Sequence, residues 1–503
     1  MLFRQAAYSA LALLLSFSLS ARATTASSKK TDPGREALSF NQSGSDKYAK
    51  GDLDGAISDY DQAIKLNPQL AKAYYNRGLA KYDKGSLKEA ITDYDQAIKL
   101  NPQYEDAYVN RGLARDDDND LEGAIADDSE AIKLDPQDSY AYNNRGWAKY
   151  RKGDLAAAIL DYNQAIKLDP QLAQPYNDRG VVERQKGDVA MAIADYSKAI
   201  QLDPTDDQAY YNRAIARDDK GDTDGALADY NQAIKIDSKY ADAYFNRAEI
   251  KADLESWDEA IADFTKALEL DPKNSAACNE RGLAWYHKGN ADSAVADYNQ
   301  ALQIDPHNAS AFNNRGNVEK ALGQLEAALA DYNQAIAIDQ KCASAYNDRG
   351  VIEQSRGDLA GAKADYELAL KLDANHAEAY CNLSSLAEVQ SDWDGAIQNA
   401  NRAILIDRGF AQAYNNRGVA EYHKGDVPGA LADYDHALQL DPNDEHAYNN
   451  RGIALLGRGD LDGAMADFDL AVQIDPTFFQ AQRNRAWAKW HQGDILGALV
   501  DLW

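Results

Sequence analysis

The sequence predicts an all-α array of antiparallel helix pairs, and three observations carry that expectation. A phrase of the form DYNQAIKLDP recurs through most of the 503 residues. Successive copies are 34 residues apart throughout. Within a copy, small and apolar residues return at three- and four-residue spacing in two runs, with Gly between the runs and Pro after the second.

Taken in chain order, residues 1–23 read as an export signal. Arg4 supplies a positive start, Ala10–Leu19 is an apolar run, and Ala21-Arg22-Ala23 offers a small-x-small cleavage site. That run is too short for a comfortable membrane span. Residues 24–36, rich in Ser, Thr and Lys, read as a flexible lead-in. The repeats follow. Their closing positions are Pro68, Pro102, Pro136, Pro170, Pro204, Ser238, Pro272, Pro306, Gln340, Ala374, Arg408, Pro442 and Pro476, which define thirteen units over 37–478. A fourteenth begins at Phe479 and is cut short at Trp503.

Repeat 2 shows the internal plan. Ala73, Tyr74, Gly78 and Tyr82 lie at helical spacing and predict a first helix, A. Leu87, Ala90, Ile91, Tyr94, Ala97 and Ile98 predict a second, B, which Asn101-Pro102 ends. The position of Ser86 (position 16) carries Asp52, Asp120, Asp154, Asn290 and Asp494 elsewhere, side chains suited to cap helix B. Position 15 is usually Gly, which suits a left-handed exit from helix A; Asn119 fits that role better than Glu255 or Ser391.

The period, with a small residue at position 8, Gly at 15, Ala at 20, Tyr or Phe at 24, Ala at 27 and Pro at 32, resembles the tetratricopeptide repeat (TPR) family over 37–503. Gly146, Ala158 and Ala165 are the three small residues of repeat 4. The resemblance implies an α-solenoid, a right-handed superhelix of helix pairs with a concave groove, and it names no chemistry. Position 7, usually Leu in the family, is here Arg in twelve repeats, from Arg77 to Arg485. Position 23 is almost always Asp, as in Asp93 and Asp229. The two are expected to pair between helices A and B of one repeat. Repeat 11 loses both partners together, with Leu383 and Asn399. In repeat 1, where Ser43 stands at position 7, Asp59 is expected to reach forward to Arg77.

Composition and motif content point away from several functions. Lys and Arg total 53 against 81 Asp and Glu, a net charge of −28. A pI near 4.6 argues against nucleic acid and against anionic bilayers as partners. Cys278, Cys342 and Cys381 are too far apart in sequence for a zinc module or a disulfide framework. No phosphate-binding loop, HExxH, GxSxG or CxxC motif occurs. None of the seven His forms a metal motif, although His423 and His446 could approach across adjacent A helices. No cofactor or metal is expected, and the uninterrupted 34-residue count leaves no room for a grafted catalytic domain.

The positive expectation is protein binding without catalysis. Positions 2, 6, 9 and 13 share one side of helix A. Position 6 is Asn76, Asn110, Asn144, Asn212, Asn246, Asn314, Asn382, Asn416, Asn450 and Asn484, with Asp178, Glu280 and Asp348 between them. Each amide could clamp a backbone N–H and C=O together. The row is similar to the asparagine ladder of the repeat domain of O-linked N-acetylglucosamine transferases, without their catalytic domain. At positions 2 and 13, Asp83, Asp106, Asp117, Asp219, Asp242 and Asp253 give the N-terminal half an acidic groove suited to a basic peptide. The function expected is a scaffold or adaptor holding an extended segment, exported to a periplasm or secreted. The alternatives are a self-associating structural solenoid of the cell envelope, or the substrate-docking subunit of a separate transferase. Trp487, Trp490, Ile495, Leu499 and a helix B running from Asp494 to Trp503 leave an apolar C-terminal edge, hence a weak homodimer. N-glycosylation patterns stand at Asn41, Asn308 and Asn382.

Overall fold

The computed structural model describes residues 32–501. The expected signal at 1–23, most of the lead-in, and Leu502 and Trp503 lie outside the described residues. Within them the chain forms 28 α-helices and no strand. Helices α1 (Pro33–Tyr48) and α2 (Leu53–Leu66) make repeat 1, and the pairs continue to α27 (Phe479–Gln492) and α28 (Ile495–Asp501). The described residues fall into two compact units, one ending at Ala243 and the other beginning at Tyr244. Inside each unit, helix A packs on its own helix B, and each B packs on the A that follows.

The first helix starts at Pro33, four residues before the start expected from the repeat count. Asp32 accepts from the Gly34 N–H at 3.1 Å, and Pro33 at the first helical position sets its φ in advance. The last described helix ends at Asp501. Asp494 caps it by accepting from the Gly497 N–H at 2.9 Å.

The core explains the small residues. In repeat 2 a Cβ on Gly78 would lie 2.6 Å from the Tyr94 ring, so the close approach there requires a bare position 8. Tyr94, Ala90 and Ala97 are fully buried beneath it. Repeats 6 and 7 instead carry Ala214 and Ala248 at position 8, with the buried rings of Tyr230 and Phe264. Repeat 3 breaks the rule, with Asp128 buried in the tyrosine's place and pushed well above the ordinary carboxylate range by burial. Repeat 11 breaks it differently. Ala400 replaces the ring, and the Ser384 hydroxyl donates to the Ala396 carbonyl at 2.8 Å.

Turn chemistry follows expectation in part. Asp52, Asp120, Asp154 and Asn290 accept from backbone N–H groups at the start of helix B, whereas Ser86 makes no such bond. Eleven position-15 glycines take φ between 74° and 92°. Asn119, Glu255 and Ser391 are held in the same left-handed region, at φ 64°, 57° and 58°. The repeat therefore imposes its exit geometry even on side chains that disfavour it.

Candidate functional site

The polar seam between helices comes first, because it holds the A helices in place. All twelve position-7 arginines grip the position-23 aspartate of their own repeat with two parallel bonds. Arg281 is representative, with Nε to Asp297 Oδ2 at 2.8 Å and Nη2 to Oδ1 at 2.6 Å. Hydrogen bonding to Asp297 leads the causes that hold the Arg281 guanidinium above its ordinary range. The third nitrogen often reaches helix B of the preceding repeat, as in Arg281 Nη1 to Thr265 Oγ1 at 3.1 Å. One guanidinium thus ties three helices. Repeat 1 departs from expectation. Asp59 accepts from Ser43 at 2.6 Å and pairs with Lys47 at 2.7 Å, while Arg77 reaches Asp61 instead. Ser43 is too short to occupy Asp59 alone, so Lys47, one turn along the same helix, completes the pair. In repeat 11 Leu383 packs against Tyr366 and Leu386 where the ion pair would be.

The position-6 side chains lie at the contact between successive A helices. In the first unit Asn76 Nδ2 donates to Asn41 Oδ1 at 3.1 Å, and Asn212 Nδ2 to Asn177 Oδ1 at 3.0 Å. In the second, Asn314 donates to Asn279, Asn382 to Asn347, Asn450 to Asn415 and Asn484 to Asn449, at 2.8–3.1 Å. Each bond runs to position 5 of the preceding repeat. Asn110 donates to Tyr75 Oη and Asn416 to the Cys381 carbonyl at the same spacing. Eight of the ten position-6 amides thus engage an N–H at the seam. Asn144 and Asn416 are themselves buried. Position 5, with Asn143, Asn177, Asn313, Asn347, Asn415 and Asn449, is a second amide row in the sequence, but its partnership with position 6 is not visible there, because the two are 35 residues apart.

The acidic positions are also engaged. Tyr48 Oη donates to Asp83 and Tyr82 Oη to Asp117, both at 2.5 Å. Burial raises the Asp83 carboxyl against that bond. Asp219 is ion-paired with Arg184 at 2.6 Å, so it adds no net charge to the first unit. Asp106 is exposed, yet desolvation of its carboxyl, then Asp138, raises it against the pull of Lys72. Asp242 is exposed in the first unit and Asp253 in the second. Position 12 of one repeat thus answers position 13 of the next, a 35-residue relation that inspection of one repeat does not reveal.

Histidines go to aromatic rings rather than to each other. His423 stacks on Trp393 at 4.1 Å and His446 meets Phe478 at 4.7 Å, so each has its own aromatic partner. Positions 2 and 13 stand at opposite ends of helix A, which keeps these rings apart. Among the described residues no group of His, Cys, Asp and Glu has the geometry to hold a metal, and no helix is long and apolar enough to cross a membrane.

Family comparison settles the class. A TPR repeat family profile matches residues 44–85, 78–115, 148–183, 180–217, 219–254, 316–355 and 418–459. Two further tetratricopeptide repeat profiles match 245–309, and 343–376 with 445–478. The chain belongs to the tetratricopeptide repeat family. Among solved structures, the APC/C hetero-tetramer Cut9–Hcn1 is similar with a TM-score of 0.54 at 14% identity, over 90% of this chain and 96% of that one, a likeness of fold alone. The MamA protein is similar at 29% identity with a TM-score of 0.31, over 34% of this chain and 93% of that one. YrrB, described as a TPR protein with an unusual peptide-binding site, gives 22% identity and a TM-score of 0.29, over 37% of this chain and 95% of its own. No curated protein matches the sequence closely enough to count as a relative. This TPR protein therefore has the scaffold fold typical of protein–protein interaction.

Proposed function

We propose that this TPR protein is a non-enzymatic scaffold or adaptor that holds an extended protein segment along the A-helix face of its repeats. The observation that carries the reading is the position-6 row, an Asn, Asp or Glu repeated along that face at one-repeat intervals. It works without cofactor, nucleic acid or membrane insertion, and is exported to a periplasm or secreted, as the Arg4–Ala23 pattern suggests. In the first unit the segment is basic. Asp83, Asp106, Asp117 and Asp242 support that preference, while Asp219 is already neutralised by Arg184. The test is crosslinking of the mature chain in its native host, comparing wild type with an Asn76→Leu/Asn212→Leu variant. A partner captured by the first and lost by the second supports the reading. Identical capture by both rejects the A-helix face as the binding surface.

A second reading, weak self-association through repeat 14, is favoured by one observation. Trp487, Trp490 and Leu496 are 51%, 57% and 79% exposed on that repeat. Sedimentation velocity up to about 100 µM detects interactions near −5.5 kcal/mol. A concentration-independent monomer there removes this reading.

A further inference from the structure

Position 6 is less uniform than a ladder of amides, and its exceptions carry information. Repeats 2–14 place Asn there ten times, Asp at 178 and 348, and Glu at 280. An ionised carboxylate accepts hydrogen bonds and cannot donate. Whatever all thirteen side chains do in common, it is therefore done by accepting.

The hydrogen bonds agree. Asn110 Nδ2 donates to the Asp106 carbonyl at 2.8 Å, and Asn416 Nδ2 to the Cys381 carbonyl at 3.2 Å. A carbonyl only accepts, so the amide orientation is fixed at both places, with nitrogen toward protein. The Oδ1 atoms of Asn76, Asn110, Asn212, Asn314, Asn382 and Asn484 accept nothing from the protein, and none is an orphan shut away from solvent. Where a carboxylate replaces the amide, the bond across the seam reverses or is replaced. Asn143 Nδ2 donates to Asp178 Oδ2 at 3.1 Å, Asn279 Nδ2 to Glu280 Oε1 at 3.0 Å, and Lys320 Nζ to Asp348 Oδ1 at 2.7 Å. The seam adapts to either chemistry, and an oxygen at position 6 is kept.

We propose that position 6 is a row of hydrogen-bond acceptors, and that the segment it holds is a cationic, donor-rich peptide gripped through its N–H groups and its Lys or Arg side chains. This rests on the A-helix face being the binding surface, and it replaces the expectation that each amide clamps N–H and C=O together. In eight of the ten amides an N–H is already committed to holding one repeat on the next.

The test uses the mature full-length chain and fluorescence anisotropy at 0.15 M and 0.5 M NaCl. The probes are a labelled 16-residue alternating Lys-Ser peptide, the same peptide with N-methylated serines, and a Glu-Ser counterpart. Asn76→Asp/Asn212→Asp keeps the acceptors, and Asn41 and Asn177 can reverse toward the new carboxylates as Asn143 does toward Asp178. Asn76→Leu/Asn212→Leu removes the acceptors. Gln62→Asp/Gln232→Asp adds the same charge at exposed positions on B helices. Expected results are Lys-Ser binding retained or tightened up to about tenfold by the on-face Asp pair, unchanged by the off-face pair, and weakened at least tenfold by the Leu pair. N-methylation weakens it on the wild-type chain, and the Glu-Ser peptide does not bind. If the Asp pair weakens binding as much as the Leu pair, or N-methylation costs nothing, the acceptor assignment fails while the binding face stands. Wild-type affinity in the Leu variant, or no binding of any probe to wild type, overturns the face and the proposal together. Should the Leu variant misfold by circular dichroism, the N-methylated pair on the wild-type chain decides alone.

Discussion

Removing one guanidinium should cost most where its aspartate has no second cation. Arg281 and Arg213 make the comparison. Arg281 and Asp297 are 18% and 8% exposed and share two bonds at 2.6 and 2.8 Å. Position 11 of that repeat is Trp285, so Arg281→Ala leaves the Asp297 carboxylate buried without a cation. Arg213 grips Asp229 equally well, at 2.7 and 2.8 Å, but Arg217 also reaches Asp229 at 2.8 Å and remains after Arg213→Ala. Orphaning a buried charge costs about 3–5 kcal/mol, against about 1–3 kcal/mol for losing hydrogen bonds to a carboxylate that keeps a partner. Arg281→Ala is thus expected to destabilise its repeat by about 2 kcal/mol more than Arg213→Ala destabilises its own. Adding Asp297→Ala should return part of that loss, because the double variant has no buried charge left. Local opening, read by hydrogen exchange across Ser275–His287 and Ala291–Ile304, is the suitable assay, since repeat arrays open unit by unit. Equal costs at the two sites, both below about 1 kcal/mol as for exposed pairs, would refute the argument.

Three further outcomes are expected. Glu255→Gly, at φ 57°, relieves a left-handed side chain and raises local stability by roughly 1 kcal/mol, checked by exchange in the flanking helices. Burial pushes Glu388 up to about 8, and burial with Asp433 holds Glu421 at about 7. Both exceed the unfolded value of about 4.3, so folded repeats 11 and 12 retain protons that the unfolded chain releases. Their contribution is complete below about pH 4 and is lost as pH rises through 7 to 8; Glu388→Gln should flatten that slope in exchange measured from pH 5 to 8.5. Asn308 donates to Ser275 and caps Ala311, Asn382 donates to Asn347, and Asn41 is buried under Asn76. Folded protein from a glycosylating host should carry no N-glycan, so its mass should not change on enzymatic deglycosylation.

The sequence by itself determined the fold and the helix pairing. The 34-residue period, the small residues at positions 8, 20 and 27, and the Gly and Pro breaks are local constraints, and local constraints repeat in register with the chain. It also determined the Arg–Asp pairs, because both partners lie within one repeat and disappear together at Leu383 and Asn399. Tertiary structure decided everything that joins one repeat to the next. It sent Asn76 to Asn41, Tyr48 to Asp83 and Arg77 to Asp61, and it engaged an N–H of Asn76, Asn212 and Asn314 with the preceding repeat. A row of identical amides reads the same from sequence whether it faces a ligand or a neighbouring helix. Only the placement of the next repeat, 35 residues along the chain and in contact in space, says what those amides already bind.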